Sequence, residues 1–369
     1  MKKILYITTL SSTINAFLVP HVEMLVSKGY QVDCACNVNV PLNRELIGRG
    51  VNVYELPFSR KPLSVNNLRA FSKLILLQRI NSYDTIHVHT PVASVFGRLL
   101  KVGFPSLKVI YTAHGYHFYD NSSGKKNIRF YYIEKFLSRF TDLIININRE
   151  DYQVTIEKFH CKKAFFVNGV GIDLTMFTPA STEEKLKLRK KLNFHGDDFI
   201  VLMVAEYNEN KNHIQLIKAM ERLKDKSPNI KILCIGKGDK RKELEAEITK
   251  RKLQQYFILD GYHKNVREYI AIADIGILTS YREGLPRSVM EYMAMGLKVI
   301  GTDIRGIRDL IENRNIGTLV PPGDDRRTAD ALEFYYENRN LEHKVPPEIY
   351  KYEMKNILKE LCNVYSTLE

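Results

Sequence analysis

Short runs of β-branched residues alternate with helical patterns along almost the whole chain, and this alternation restricts the fold more than any other feature. It is typical of parallel sheets with helices on both faces, because parallel strands need a crossover connection. The first half predicts a doubly wound α/β domain, with strands at Lys3–Thr8, Gln31–Cys36, Asn52–Glu55, Thr85–His89, Lys108–Thr112, Leu143–Asn146 and Ala164–Val167.

The alternation stops at Gly169 to Gly171, passes through the very polar segment Ser181–Lys191, and then starts again. The second set predicts strands at Phe199–Ala205, Ile230–Ile235, Phe257–Leu259, Ile275–Thr279, Lys298–Gly301 and Thr318–Val320. Domains rarely grow beyond ~250 residues, so 369 residues favour two of them. We expect an N-terminal domain at 1–175, a C-terminal domain at 190–345, and a helix at 346–369 that packs back across the first domain.

The charge is concentrated in the first half. Residues 1–170 hold 22 basic and 11 acidic side chains, whereas the remainder holds 33 and 31. This imbalance points to an anionic partner of the first domain. Hydrophobic residues at 44% and charged residues at 26% exclude a disordered or coiled-coil chain.

Cysteine usage and the absence of long apolar runs indicate a cytoplasmic protein. The five cysteines are scattered and odd in number, which does not fit a disulfide framework. The apolar run after Lys2-Lys3 breaks at Thr8, so we interpret it as a first strand and not as a secretory signal.

The segment Ile275–Gly296 carries the strongest chemical signal. A buried strand is followed by a polar loop with Glu283, and Pro286 then opens a helix that contains Glu291. A helix N-terminus attracts phosphate, and ionised carboxylates accept hydrogen bonds from hydroxyl groups. This combination suits a nucleotide sugar, although spacing alone leaves open that both glutamates are ordinary surface residues.

The same segment closely resembles the E-x7-E motif of the retaining family-4 glycosyltransferases with the GT-B fold. That resemblance implies two Rossmann-like domains facing a central cleft, with the sugar donor held by the second domain. It assigns Lys211 to the donor diphosphate, Glu283 to the transferred sugar and Glu291 to the ribose. The implied donor-binding set is Lys211, Gly236, Tyr262, Glu283, Gly284, Leu285, Arg287 and Glu291.

The chain departs from the family pattern in two places. The family's glycine pair in the first loop is absent, and Thr8–Thr13 stands there, which makes close backbone approach at that loop less favourable. The second departure lies in the second domain. The family places an arginine just after the first strand of the second domain, and Ala205-Glu206 stands there in this chain. An acid cannot contact phosphate favourably, and Lys211, Arg282 or Arg287 could compensate.

A dinucleotide site is an alternative interpretation of Gly236-Lys237-Gly238. Asp260 follows at a distance near the ~20 residues expected for a ribose-binding acid. The third glycine of G-x-G-x-x-G is replaced by Arg241, which argues against NAD.

Two predicted strands of the first domain end in histidine, at His89 and just before His114. A single histidine is usually structural, whereas a pair at a switch point makes a functional role as reasonable as a structural one. The resemblance implies that His114 contacts the transferred sugar and acts in catalysis with Glu283 and Lys211. It places His89, with Ser12 in the first loop, on the acceptor side.

No aspartate pair in D-x-D spacing occurs, so we expect neither a metal nor another cofactor. Lysine and a helix dipole can instead stabilise the leaving diphosphate. The segment Gly124–Phe140 has five basic residues and five aromatics, which suits either an anionic membrane surface or a packed helix with a basic outer face.

The family resemblance, taken with these features, implies a retaining, metal-independent glycosyltransferase similar to bacterial capsular and exopolysaccharide enzymes. It would transfer a sugar from a UDP-sugar to a lipid-diphosphate-linked glycan in bacterial capsular or exopolysaccharide synthesis, in the cytoplasm or peripherally at the inner face of the membrane. Two alternatives remain at this stage. One is a nucleotide-sugar 2-epimerase, and the other is a basic nucleic-acid-binding protein, for which no recognition motif is present.

Overall fold

The computed structural model describes residues 2–118, 125–339 and 343–368, with the backbone alone for residues 125–127. The chain divides into two compact units. Unit 1 is Met1–Gly171 together with Met354–Glu369, and unit 2 is Ile172–Glu353. Within the described residues, no helix combines the length and apolar character needed to cross a bilayer.

Unit 1 is built on a parallel sheet of seven strands. In chain order they are β1 Lys3–Leu10, β2 Gln31–Asn37, β3 Val53–Glu55, β4 Thr85–His89, β5 Lys108–Ala113, β6 Leu143–Asn146 and β7 Lys163–Phe166. Their order in the sheet is β3-β2-β1-β4-β5-β6-β7. The direction of winding reverses between β1 and β4, so the loops that follow these two strands lie where open α/β sheets bind ligands.

Helices cover both faces of this sheet. The α-helices are Val19–Ser27, Arg44–Gly48, Val65–Asn81, Pro91–Gly103, Lys125–Leu137, Arg149–Lys158 and Met354–Ser366, with shorter turns at Ser11–Thr13, Ile14–Leu18 and Ser138–Phe140. The predicted basic helix at 124–140 is present from Lys125, and Gly124 lies outside the described residues.

The helix Met354–Ser366 belongs to unit 1 although it follows unit 2 in the chain. Ile357, Leu361 and Val364 recur at helical spacing and join the core formed by β1, β2 and the helix Val19–Ser27.

Unit 2 has a six-stranded parallel sheet of the same kind. Its strands are β8 Phe199–Val204, β9 Ile230–Ile235, β10 Phe257–Gly261, β11 Ile275–Leu278, β12 Lys298–Thr302 and β13 Gly317–Val320, in the sheet order β10-β9-β8-β11-β12-β13. Its α-helices are Thr182–Lys191, His213–Leu223, Arg241–Lys250, Arg267–Ile272, Arg287–Ala294, Ile307–Leu310 and Asp325–Glu337, with 3-10 turns at Glu209–Lys211 and Pro347–Tyr352.

The polar segment before residue 190 is a helix of unit 2 and not a bare linker. Ser181 caps the helix Thr182–Lys191 by accepting a hydrogen bond from the Glu184 amide. Arg189, which is buried, donates to the carbonyl of Ile272 and to the carboxylate of Asp274. A charged side chain anchors this helix, so hydrophobic patterning could not reveal that it packs on unit 2.

Candidate active site

The site of unit 2 begins with two loops that are far apart in the sequence. The turn that carries Lys211 follows β8, and the loop that carries Glu283 follows β11. These strands are neighbours in the sheet, with Ile275 opposite Val201. Parallel strands end at the same edge, so the two loops meet there.

Hydrogen bonds hold these two loops together. Asn210 Nδ2 donates to the Arg282 carbonyl at 2.9 Å, and the Tyr281 amide donates to the Asn210 carbonyl at 2.8 Å. The Thr279 hydroxyl lies 3.1 Å from the Lys211 carbonyl and 3.0 Å from that of Asn212. Sequence reasoning missed Asn210 and Thr279, since only the strand order shows that they share an edge.

Lys211 and Glu283 form an ion pair in this structure. Lys211 Nζ lies 2.5 Å from Glu283 Oε1, and both side chains are largely shielded from solvent. The adjoining Asn212 has φ of 49°, a left-handed conformation that costs energy outside glycine. The turn is therefore held in a specific shape that presents the ammonium group to the Glu283 loop.

Glu291 lies on the helix Arg287–Ala294 and is 7% exposed. Its Oε1 atom lies 3.0 Å from Arg287 Nε, one turn away. Burial raises the pKa of the Glu291 carboxyl to about 7, against the opposing effect of the Arg287 guanidinium. The helix begins at Arg287, with Pro286 as the capping residue before it, one residue later than predicted.

Tyr292 sets the orientation of this helix. Its hydroxyl accepts a hydrogen bond from the Val204 amide at 2.7 Å. A Cβ on Gly276 would lie 2.2 Å from the Tyr292 ring, so glycine is needed for the ring to lie on β11. Glu291, the preceding residue, is thereby fixed relative to the sheet.

Gly284 contacts the loop that follows β12, and the neighbouring Leu285 anchors the Glu283 loop to the core of unit 2. Leu285 packs against the core of unit 2. Gly306, with φ of 76°, approaches so closely that a Cβ there would lie 2.1 Å from the Gly284 carbonyl oxygen. The loop after β12 thus supports the Glu283 loop, a contact that spacing along the chain did not reveal.

Close packing of two loops explains why glycine occurs at positions 236 and 238, without a dinucleotide site. A Cβ on Gly236 would lie 1.9 Å from the Ala205 carbonyl oxygen, and one on Gly238 would lie 2.1 Å from that of Tyr207. Both glycines therefore allow the loop after β9 to pass against the turn after β8. Tyr262, also predicted at this site, is exposed, and its ring lies 4.9 Å from Lys237 Nζ.

Glu206, which replaces the family arginine, is exposed and accepts a hydrogen bond from Asn208 Nδ2 at 3.1 Å. Of the candidates for its replacement, Lys211 pairs with Glu283 and Arg287 with Glu291. Both cations therefore lie beside the two carboxylates of the motif.

The site residues of unit 1 cluster at the ends of β1, β4 and β5. His89 Nδ1 lies 3.0 Å from His114 Nε2, and the two rings are stacked. His89 is 1% exposed, and its burial does not favour direct contact with an acceptor. Ser12 follows β1, and its amide donates to Asn39 Oδ1 at 3.2 Å.

A buried polar network lies beneath these histidines. His87 Nδ1 lies 2.5 Å from the Tyr365 hydroxyl and His87 Nε2 lies 2.7 Å from the Thr112 hydroxyl. Burial lowers the pKa of His87 and His89 well below the ordinary value, and that of His114 to about 4. All three rings are therefore neutral near pH 7.

Groups of three or more histidine, cysteine, aspartate or glutamate side chains suited to a metal ion do not occur in the part of the chain that the structure describes.

Comparison with known proteins gives consistent matches over both units. Residues 184–352 match the model of the family described as glycosyl transferases group 1, and residues 3–148 match that described as glycosyl transferase 4-like. A protein of Bacillus subtilis (strain 168) that carries the name glycosyltransferase EpsD is 32% identical over 99% of this chain and 96% of its own length. The UDP-Gal:alpha-D-GlcNAc-diphosphoundecaprenol alpha-1,3-galactosyltransferase of Escherichia coli is 25% identical over 84% of this chain and 81% of its own.

Solved structures show the same fold. The Anabaena protein Alr3699/HepE in complex with UDP superimposes with a TM-score of 0.78 at 19% identity, over the full length of both chains. The sucrose-phosphate synthase of Thermosynechococcus elongatus gives 0.84 at 18% identity, over 100% of this chain and 99% of its own. The predicted GT-B fold, with two doubly wound parallel sheets, is confirmed.

Proposed function

This chain belongs to the group 1, family-4-like glycosyltransferases, and on that premise we propose that it transfers a sugar from a UDP-sugar to a lipid-diphosphate-linked glycan with retention of configuration. The observation that carries the proposal is the cluster of Lys211, Glu283, Arg287 and Glu291 at one edge of the unit 2 sheet. The names of the relatives support a role in exopolysaccharide or capsule synthesis, since they include glycosyltransferases of teichuronic acid, colanic acid and amylovoran biosynthesis.

The donor diphosphate binds next to Lys211 and the N-terminus of the helix Arg287–Ala294. An ammonium group and the amides of a helix N-terminus both stabilise phosphate, and they do so most where negative charge develops on the leaving group. Binding requires Lys211 to exchange part of its contact with Glu283 for phosphate oxygens. The exchange frees the Glu283 carboxylate to accept hydrogen bonds from sugar hydroxyls.

Glu291 binds the ribose of the donor. Its buried carboxylate lacks the hydration that an exposed one has, so two ribose hydroxyls that donate to it would be worth more than in water. UDP is the nucleotide named in the complex of the Anabaena structure and in the name of the Escherichia coli relative, which supports a uridine donor.

His114 contacts the transferred sugar, and Ser12 lies on the acceptor side. We assign Glu283 to positioning the sugar, and the departing phosphate to removing the proton of the acceptor hydroxyl. The charge of Lys211 and the helix N-terminus does the work that a divalent metal does in other glycosyltransferases, so activity is metal-independent.

A lipid-linked acceptor requires access to a membrane, and unit 1 has a suitable surface. The helix Pro91–Gly103 packs against Val65–Asn81 and Lys125–Leu137, and we call these three the basic helix layer. Residues 56–141, which contain it, hold 13 basic and three acidic residues. Exposed apolar side chains lie on all three of its helices, namely Val65, Leu68, Leu76, Ile80, Val102, Ile128, Phe130, Tyr132, Ile133 and Phe136.

We assign this layer to peripheral contact with an anionic membrane, where apolar side chains insert and basic ones meet lipid phosphates. Vesicle sedimentation tests it. The protein should pellet with phosphatidylglycerol vesicles and not with phosphatidylcholine vesicles, and Leu68→Glu with Leu76→Glu should abolish pelleting. Phe334→Glu, an exposed apolar position of unit 2, supplies the matched control. Equal pelleting of both variants would contradict the assignment.

The test of transfer uses purified enzyme, a panel of nucleotide sugars and a polyprenyl-diphosphate-linked sugar acceptor. We expect a larger product only when donor and acceptor are both present, with the anomeric configuration retained in its NMR spectrum. Lys211→Ala and Glu291→Ala should lose transfer, whereas Lys237→Ala should keep most of it. Efficient conversion of the donor to an epimer without acceptor would instead support the epimerase alternative.

A further inference from the structure

We infer that His89 is a positioning residue that holds His114 in the tautomer protonated on Nδ1, so that His114 offers a hydrogen-bond donor to the sugar. The inference deepens the proposed function and rests on it, because His114 is the residue proposed there to contact the transferred sugar. It begins from the contact between His89 Nδ1 and His114 Nε2 at 3.0 Å.

Both rings are neutral, and this determines how many protons the contact holds. A neutral imidazole has one N–H group and one bare nitrogen, so only one of the two facing nitrogens carries a hydrogen. Burial is the main cause of the low pKa of each ring, and the neighbouring histidines lower it further. Two arrangements are therefore possible, with the proton on His89 or on His114.

The other nitrogen of His89 distinguishes the two arrangements. His89 Nε2 is buried and has no hydrogen-bond partner among the described residues. If His114 donates, His89 must carry its own proton on Nε2, which leaves a buried N–H without an acceptor. If His89 donates through Nδ1, its Nε2 atom carries no hydrogen and is an acceptor without a donor. Buried acceptors without a donor are less rare in proteins than buried N–H groups without an acceptor.

The surrounding groups do not reverse this preference. His21 donates from Nε2 to the Val170 carbonyl at 2.9 Å, so its proton is committed there. Tyr6 lies alongside His89, with its hydroxyl 2.9 Å from that of Tyr365. His87 meets hydroxyl groups at both nitrogens, and a hydroxyl can donate or accept, so His87 tolerates either tautomer.

His114 is consequently protonated on Nδ1. No hydrogen bond to that atom occurs within the described part of the chain, and the ring is partly exposed. The group offered to a ligand is a neutral N–H donor, which suits a sugar hydroxyl or ring oxygen. Because Nδ1 of His114 already carries a proton, this atom cannot act as a general base.

Nitrogen NMR of ¹⁵N-histidine-labelled protein tests the tautomer directly, with no substrate. The His114 resonances, identified by their loss in His114→Gln, should show a protonated Nδ1 and a bare Nε2. His89→Leu should remove this fixed tautomer. His89→Asn should keep it, because the amide N–H takes the place of the ring Nδ1–H. A wild-type His114 protonated on Nε2 would overturn the inference, and this measurement needs no variant of His89 to fold.

Kinetics provide the second readout. His89→Leu should lower kcat for transfer roughly tenfold, the size expected for one hydrogen bond, with the KM for donor and UDP affinity unchanged. His89→Asn should restore most of kcat. Equal losses in both variants would indicate packing alone and contradict the positioning role. If the wild-type enzyme neither binds nucleotide nor transfers sugar, the proposed function fails, while the NMR result still decides the tautomer.

Discussion

Replacement of Glu291 by glutamine should stabilise unit 2 at neutral and alkaline pH. The native carboxyl has a pKa of about 7, raised by burial from an ordinary value of 4.5. Between these values the native state holds a proton that the unfolded state has lost, so stability falls as pH rises through this window. Glutamine stays neutral at all these pH values and avoids that loss.

The shift of about 2.5 pH units corresponds to about 3 kcal/mol, because each unit is worth about 1.4 kcal/mol. The stability of Glu291→Gln relative to wild type should therefore increase by about 3 kcal/mol from pH 4.5 to pH 8. For a domain of this size that amounts to a relative rise in Tm of about 6–12 °C.

Thermal unfolding of both proteins in a series of buffers from pH 4.5 to pH 8 measures this difference. Glu206→Gln, which removes an exposed carboxylate of the same unit, is the control and should show no comparable trend. The same Glu291→Gln variant should bind UDP more weakly at pH 8, where the wild-type carboxylate is ionised and accepts the ribose hydroxyls. A difference in Tm that does not change with pH would refute the reasoning, since it would mean that burial does not hold the proton on Glu291.

Three further predictions follow from unit 2. Lys211→Ala should weaken UDP binding about tenfold or more, as expected for loss of a charge-assisted contact, whereas isothermal titration of Lys237→Ala should differ little from wild type. Gly236→Ala should lower the Tm of unit 2, because the new Cβ would lie 1.9 Å from a backbone oxygen, whereas Gly196→Ala, which meets nothing within 4 Å, should not. Transfer should survive exhaustive treatment with EDTA, and activity that is lost and then restored by Mg²⁺ or Mn²⁺ would contradict the metal-independent proposal.

The sequence was sufficient to predict most of the fold. Parallel strands buried on both faces have near-continuous apolar runs, so β6 and β9 were predicted with their observed bounds. The bounds of β4 were also predicted correctly, although threonine and histidine alternate there with isoleucine and valine. The helix Thr182–Lys191 was not recognised as part of unit 2, since its anchor is the buried Arg189 and not an apolar stripe. The helix Asp325–Glu337 was missed because its polar first turn resembles a loop, whereas its packing depends on Leu332 and Tyr335 further along.

The candidate site was predictable in its residues but not in its contacts. Spacing and family resemblance together identified Glu283, Glu291 and Lys211, whereas the ion pair between Lys211 and Glu283 depends on the adjacency of β8 and β11. The histidines were expected as separate ligand contacts. Their hydrogen bond joins two strands that are separated by a helix in the sequence, and the burial of His89 depends on Tyr6 from a third strand.

The discontinuity of unit 1 has a consequence for the order in which the protein is made. Residues 1–171 leave the ribosome first, but Ile357, Leu361 and Tyr365 of their core are translated only after the whole of unit 2. Domains usually fold as units during synthesis, N-terminal ones first. Here the translation of unit 2 is complete before that of unit 1. Part of the apolar surface of the N-terminal sheet therefore stays uncovered until the helix Met354–Ser366 has been made. A chain that ends at residue 353 would therefore contain all of unit 2 but only part of the core of unit 1, and its N-terminal segment would expose apolar surface of the kind that chaperones bind.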